Sequence, residues 1–188
     1  RGLGDVYKRQ AENCMLRGAH VTLVNASVSV EPPMFVDVVN VTSAADMADV
    51  VKSKAAEQDI IIMTAAVADF CPSHPADEKI KKNDSSYESV IELERTEDIL
   101  SYLGAHKAKG QLICGFSMET QNMLENSKAK LVKKNADMIV ANNLKVAGAG
   151  FGTDTNVVTL ITADDCTELE IMDKSCVAAR IMDRLLKM

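Results

Sequence analysis

Several groups of residues in this chain have types and spacings that suit chemistry. The first closes the stretch IIIMTAAVADF (residues 60–70), where large apolar residues shrink to Ala65, Ala66 and Ala68 just before Asp69. Small side chains at the end of a strand leave the backbone open to a flat ligand. An acid beside it can accept hydrogen bonds from a base or sugar, or help hold a metal. The same spacing also suits alanines packed under a helix with Asp69 capping a turn, and spacing alone does not choose. The second group is Lys79, Lys81 and Lys82 in DEKIKK. Lysines on a closing loop can follow the charge of reacting phosphates, although from composition alone a merely solvated loop is the simpler explanation.

The third group is the acid-free run SKAKLVKKN, with Lys128, Lys130, Lys133 and Lys134. Lys130 and Lys134 share one helical face, where like charges repel by about a few tenths of a kcal/mol. A helix carboxyl terminus offsets part of that cost. A polyanion would reward the pair, and a solvated face would tolerate it. The glycine-rich GAGFGTDTN (residues 148–156) is tempting as a dinucleotide fingerprint. It fails in context, because a strand pattern follows it and the fingerprint must open a helix.

The elements that must position these groups alternate. A helical pattern over residues 10–16 stops at Gly18, and strands are predicted at residues 20–24, 36–41 and 60–64. Ser43 and Asp46 have capping-box spacing ahead of an intervening helix. Residues 71–86 carry prolines and many charges without a period, which predicts a long loop of the functional or disordered kind. ESVIELE alternates like a half-exposed strand, and Thr96 is placed to cap a helix over residues 97–109. A strand at 111–117, a helix at 119–134 and a strand at 136–142 follow. Residues 156–162 and 168–172 suggest a hairpin, and Asp173 or Ser175 caps a last helix. Strands alternating with helices predict an α/β, Rossmann-like three-layer domain, its sheet mostly parallel with a late antiparallel hairpin.

The 188 residues suffice for one domain with a real core. A formal charge of −6 argues against duplex nucleic acid as a partner. The five cysteines are dispersed and odd in number, which favours free thiols in a reducing compartment. The three histidines are equally scattered and form no metal-ligand spacing. The apolar run at residues 60–68 is too short to span a bilayer. No signal-peptide pattern opens the chain, so a cytoplasmic protein without membrane contact is the expectation.

Taken together, RGAHVTLV, AAVADF, KIKK, GFSMET, KKNADMIVANN and GAGFGTDTNVVTLIT resemble, in order and spacing, the bacterial phosphopantothenate–cysteine ligase. That family is the synthetase domain of a bifunctional coenzyme A biosynthesis protein. The resemblance implies CTP-dependent joining of 4′-phosphopantothenate to L-cysteine through an acyl-cytidylate, with magnesium on the nucleotide and no metal ligand identified in the protein. It implies a homodimer, with the long loop and ESVIELE as candidate contacts, and a parent chain that often carries a decarboxylase domain ahead of this one. By position, Asp69 would recognise the nucleotide with Ala65 lying against it, and Phe116 would pack near the cytidine. Lys130 and Lys134 would contact the nucleotide, Asp98 and Ile99 would line the same pocket, and Asn142 would belong to it. Lys79 would act catalytically on the acyl-cytidylate and contact the nucleotide.

The sequence departs from the family pattern at Glu97 (usually proline), Ser117 and Met118 (usually alanines) and Asn143 (usually aspartate). A larger departure is RGLGDVYKRQ. The family opens with a central strand, a glycine–threonine loop and a phosphate-binding Asn-x-x-Ser-Ser-Gly-type segment, and none of these is present. Residues 1–10 are therefore read as an unmatched, non-native segment and residues 11–188 as the ligase-like domain. This chain is accordingly expected to lack turnover and to have an incomplete sheet. The alternative is an NAD(P)-linked Rossmann-type oxidoreductase, and a third reading is a non-catalytic nucleotide-sensing or dimerising module.

Overall fold

The computed structural model describes residues 4–26, 31–76, 78, 90–119, 122–143 and 154–188. Helix α1 (Gly4–Leu16) leads through Gly18, at φ +84°, to strand β1 (Thr22–Ala26). β1 pairs in parallel with β2 (Asp37–Val41), Thr22 opposite Asp37 and Ala26 opposite Val41. Helix α2 (Ala44–Ala55) starts at the predicted capping box: the Asp46 N–H donates to Ser43 Oγ and the Ser43 N–H to Asp46 Oδ2, each at 3.0 Å. Strand β3 (Ile60–Met63) follows, then a small antiparallel pair, β4 (Phe70–Pro72) with β5 (Leu93–Arg95).

Helix α3 (Ile99–Ala105), strand β6 (Leu112–Glu119), helix α4 (Met123–Lys133) and strand β7 (Met138–Asn143) continue the alternation. The chain ends with β8 (Thr155–Asn156), β9 (Val158–Ile161), β10 (Cys166–Glu168), β11 (Met172–Asp173) and α5 (Lys174–Leu185). The main sheet runs β10-β9-β7-β6-β3, with β3, β6 and β7 parallel and β9 and β10 antiparallel. β1 and β2 form a separate parallel pair, and β8 pairs with β11.

Alternation along the strands fills two cores. Ile113, Ile139 and Ala141 face α2, α3 and α4, where they meet Val51, Leu103 and Leu131. Cys114, Met138 and Val140 face the other way, onto Val177, Ile181 and Leu185 of α5 and Cys14 of α1. Burial lifts the Cys114 thiol well above the ordinary cysteine range, so it stays protonated as an apolar filler. The expected α/β, Rossmann-like three-layer domain with a mostly parallel sheet and antiparallel strands near its end is therefore observed.

Boundaries differ where side chains found competing partners. α1 begins at Gly4, earlier than residue 10, because Lys8, Gln10 and Ala11 are already buried. β1 lies two residues later than predicted. Thr96 does not cap α3. Its hydroxyl donates to the Ala68 carbonyl instead, and Asp98 accepts the Ser101 N–H at 3.0 Å, so the helix is short. α4 starts at Met123, not residue 119, because β6 runs on through Glu119 against β7. The late hairpin joins β9 to β10, with Cys166 opposite Ile161, while Met172 pairs separately with Asn156. Of ESVIELE, the strand includes only Leu93 and Glu94, and continues to Arg95; residues 81–89 lie outside the described residues.

One close approach ties α3 to α4. A Cβ on Gly104 would sit 1.8 Å from the Lys134 carbonyl oxygen, so only glycine permits the contact. The Asn135 side-chain amide donates to the Gly104 carbonyl at 2.7 Å across the same junction. Backbone on both sides leaves nothing that can yield cheaply. Gly104→Ala is expected to cost about 3 kcal/mol, the upper end for overpacking. Gly110→Ala, at φ +83° but in open space, should cost about 1–2 kcal/mol. Urea denaturation of both variants measures the difference, and equal losses would contradict the close-packing account.

Candidate functional site

The carboxyl ends of β3, β6 and β7 point to one side of the sheet, where open α/β sheets hold ligands. Beyond Met63 the chain shrinks to Thr64, Ala65, Ala66 and Ala68 and turns at Asp69. β6 brings Phe116, Ser117 and Met118 to the same level, and β7 brings Asn142. The segment from Thr96 to Leu100 forms the opposite rim, and Lys130 and Lys134 reach in from α4. Together they line a cleft of about 350 Å³, within the size range of small-molecule sites.

Hydrogen bonds fix the rims. The Thr96 N–H donates to the Asp69 carbonyl at 3.0 Å, and the Thr96 hydroxyl to the Ala68 carbonyl. The alanine turn is thereby stapled to the start of α3. Lys130 Nζ donates to the Phe116 carbonyl at 2.8 Å, holding the α4 cation at the end of β6. Lys134 Nζ pairs with the Asp98 carboxylate and donates to Ser101 Oγ at 2.9 Å. Gly115 lets Leu100 lie directly on β6, since a Cβ there would meet Leu100 Cδ2 at 2.7 Å.

All but one of the predicted site residues converge on this cleft: Ala65, Asp69, Asp98, Ile99, Phe116, Lys130, Lys134 and Asn142 line it. Lys79 lies outside the described residues, as do Lys81 and Lys82. Lys128 and Lys133 are exposed on α4 and do not line the cleft. Sequence reasoning missed Thr96 as the staple, because a threonine before an apolar period reads as a cap. It also passed over Ser117 as a site residue. Among the described residues the Ser117 hydroxyl and Asn142 Oδ1, both buried, find no hydrogen-bond partner, so the cleft wall holds polar atoms that a ligand could satisfy.

The charge pattern suits an anion only in part. Glu97 is taken up by Lys52 at 2.7 Å, and Asp98 by Lys134. Lys130 and Asp69 also line the cleft, Lys130 held by the Phe116 carbonyl, while Asp69 makes no side-chain hydrogen bond or ion pair among the described residues. Among the described residues no cluster of three or more His, Cys, Asp or Glu side chains could cage a metal by itself. The glycine segment of residues 148–153 is not described, but Thr155 onward forms β8 and β9 rather than a helix. That arrangement is not the dinucleotide-binding turn of an NAD(P) enzyme.

Burial raises the Asp98 carboxyl, but the Lys134 hydrogen bond, the Ser101 N–H and the Lys134 charge outweigh it and hold it below the ordinary 3.8. The stability this pair contributes is present above 3.8 and is lost as pH falls through the lower folded value. Asp98→Asn keeps a helix cap and removes the charge. Thermal melts should show the wild type above this variant near neutral pH, with the gap closing as pH drops below about 3.8. A gap independent of pH would contradict the ion-pair account.

The model of the family described as the DNA/pantothenate metabolism flavoprotein C-terminal domain matches residues 7–188. The chain is 44% identical over 177 residues to the coenzyme A biosynthesis bifunctional protein CoaBC of Bacillus subtilis (strain 168), covering 93% of this chain and 43% of that protein. It is 43% identical over 178 residues to a protein named Cysteine/Cysteine sulfinic acid decarboxylase, from an unknown prokaryotic organism, covering 94% of this chain and 49% of that one. The chain thus spans less than half the length of these curated relatives. The crystal structure of the C-terminal domain of a CoaBC protein superposes with a TM-score of 0.79 at 38% identity, over 97% of this chain and 81% of that one. A Cab2 mutant in complex with phosphopantothenate-cysteine shares the fold, with a TM-score of 0.73 at 15% identity over 97% and 77% of the two chains. The chain belongs to the DNA/pantothenate metabolism flavoprotein C-terminal domain family.

Proposed function

We propose that this domain is a phosphopantothenate–cysteine ligase module of coenzyme A biosynthesis, with CTP as the activating nucleotide. The observation that carries the reading is the convergence of Ala65, Asp69, Asp98, Ile99, Phe116, Lys130, Lys134 and Asn142 on one cleft, in a chain of this family. A carboxylate is a poor acyl donor and must be activated before an amine can displace anything from it. A carboxylate oxygen of 4′-phosphopantothenate attacks the α-phosphorus of CTP, the bond to the β-phosphate breaks, and pyrophosphate leaves. The amine of L-cysteine then attacks the acyl carbon of the acyl-cytidylate, CMP departs with the bonding pair, and the amine loses a proton.

Within that scheme the alanine turn makes room for the cytidine between Ala65 and Phe116, and Asp69 reads the base or sugar. Lys130 and Lys134 face the phosphates, where fixed cations stabilise developing charge best. Lys79, by the resemblance of its KIKK segment to the family's, is assigned as the group that serves the second step. Magnesium fits as a nucleotide-borne ion, since such ions need only one or two protein carboxylates besides phosphate oxygens, and Asp69 is free to supply one. When bound, it neutralises phosphate charge. The longer relatives, named bifunctional or decarboxylase, support a decarboxylase domain as covalent partner in the parent chain. Exposed Phe70, Val90, Ile91 and Leu93 around β4 and β5 support this face as the homodimer contact. Free cysteines throughout the described residues suit a cytoplasmic setting.

Ligand-induced thermal shifts with magnesium and CTP, ATP or NAD in parallel test the reading. CTP at a hundred times its Kd should stabilise the chain by about 2.7 kcal/mol, or about 5–10 °C, with smaller shifts from ATP and NAD. Lys130→Gln and Asp69→Ala should each weaken CTP by about tenfold or more. Selective stabilisation by NAD, or none by CTP, would contradict it.

A further inference from the structure

Three consecutive residues on the cleft rim are each held by a different part of the fold. The Thr96 hydroxyl donates to the Ala68 carbonyl in the turn after β3, and Asp98 pairs with Lys134 of α4. Glu97, between them, is held by Lys52 of α2, whose Nζ donates to Glu97 Oε2 at 2.7 Å. The first two contacts join residues that line the cleft on both sides. The third comes from behind the rim, because Glu97 lines the cleft and Lys52 does not.

Lys52 is itself well placed for that contact. Its ammonium lies 5.3 Å from the centre of the Tyr102 ring, which in turn stacks on His106 with centroids 4.1 Å apart. Asp49 Oδ1, one turn back on α2, stands 3.9 Å away. The hydrogen bond to Glu97 raises the Lys52 ammonium above the ordinary lysine range, so it stays charged at neutral pH. With side chains 27% and 43% exposed, the pair is of the kind that adds little to stability.

Its consequence for the charge of the cleft is larger. Among the described residues, three carboxylates (Asp69, Glu97 and Asp98) and two lysines (Lys130 and Lys134) line the cleft. The lining alone therefore carries one excess negative charge and would oppose a polyanion. Lys52 cancels that excess from outside, and its hydrogen bond turns the Glu97 carboxylate toward α2. We propose that Lys52 is a positioning residue for the anion of this cleft: by holding and neutralising Glu97, it keeps a third carboxylate from repelling a polyphosphate bound beside Lys130 and Lys134. This role rests on the polyanionic ligand of the function proposed above and not on the identity of its base.

Calorimetric titration of the intact chain with two probes, magnesium–CTP and inorganic tripolyphosphate, at low and high salt tests it. Lys52→Met should weaken both probes about three- to fivefold at low salt, and less than about twofold at high salt, where the charge is screened. Lys52→Arg keeps the charge and should bind like the wild type. Adding Glu97→Gln to Lys52→Met removes the unpaired carboxylate and should restore the wild-type affinity. A loss that neither salt nor Glu97→Gln relieves would make Lys52 merely structural and overturn the proposal. Equal binding of CTP by the wild type and Lys52→Met would overturn it while leaving the nucleotide reading intact. The expected order of affinities for tripolyphosphate, with CTP unbound, would uphold it and overturn the nucleotide reading instead. Binding of neither probe by the wild type would overturn both.

Discussion

The site depends on how closely α3 can approach α4. Gly104 removes the side chain that would collide with the Lys134 carbonyl, and the Asn135 amide then locks the junction from the other side. That contact brings the last turn of α4 over the first turn of α3, where Lys134 finds Asp98 and Ser101. It also sets the height of Lys130 above β6, where the Phe116 carbonyl holds it. Move α3 away and Lys134 loses Asp98 and Ser101, the partners that hold it over the cleft. The functional geometry is therefore set by backbone packing first and by charge second.

The cleft floor follows from a different constraint. Parallel strands end together, and the residues just past them must either fill the space with side chains or leave it open. Here β3 gives way to alanines, so the space stays open, and Thr96 stitches the alanine turn to the far rim. The resulting cleft is neither strongly cationic nor sealed. Its fixed lysines are partly spent on Asp98 and on a carbonyl, which suits an anion that brings its own counterion better than one that relies on the protein alone.

Much of this was legible in the sequence, for reasons that can be named. The capping box at Ser43, the apolar strand at Ile60 and the four-residue spacing of Lys130 and Lys134 are local signals, and each was observed as an element or face. Six segments in register carried the cleft residues. The errors came from non-local pairing. Thr96 reads as a cap until the Ala68 carbonyl competes for its hydroxyl. α4 reads four residues too long until Ser117, Met118 and Glu119 find partners on β7. The hairpin slips because Met172 is claimed by Asn156.

Relatives such as the Bacillus subtilis CoaBC protein are named for coenzyme A biosynthesis, and the function proposed above assigns that chemistry to the cleft. The most direct measurement is a crystal structure of the chain grown with CTP and magnesium. The account predicts the cytidine between Ala65 and Phe116, with phosphates beside Lys130 and Lys134 and the Asp98–Lys134 pair loosened. Nucleotide bound elsewhere on the surface, with this cleft unchanged, would contradict it.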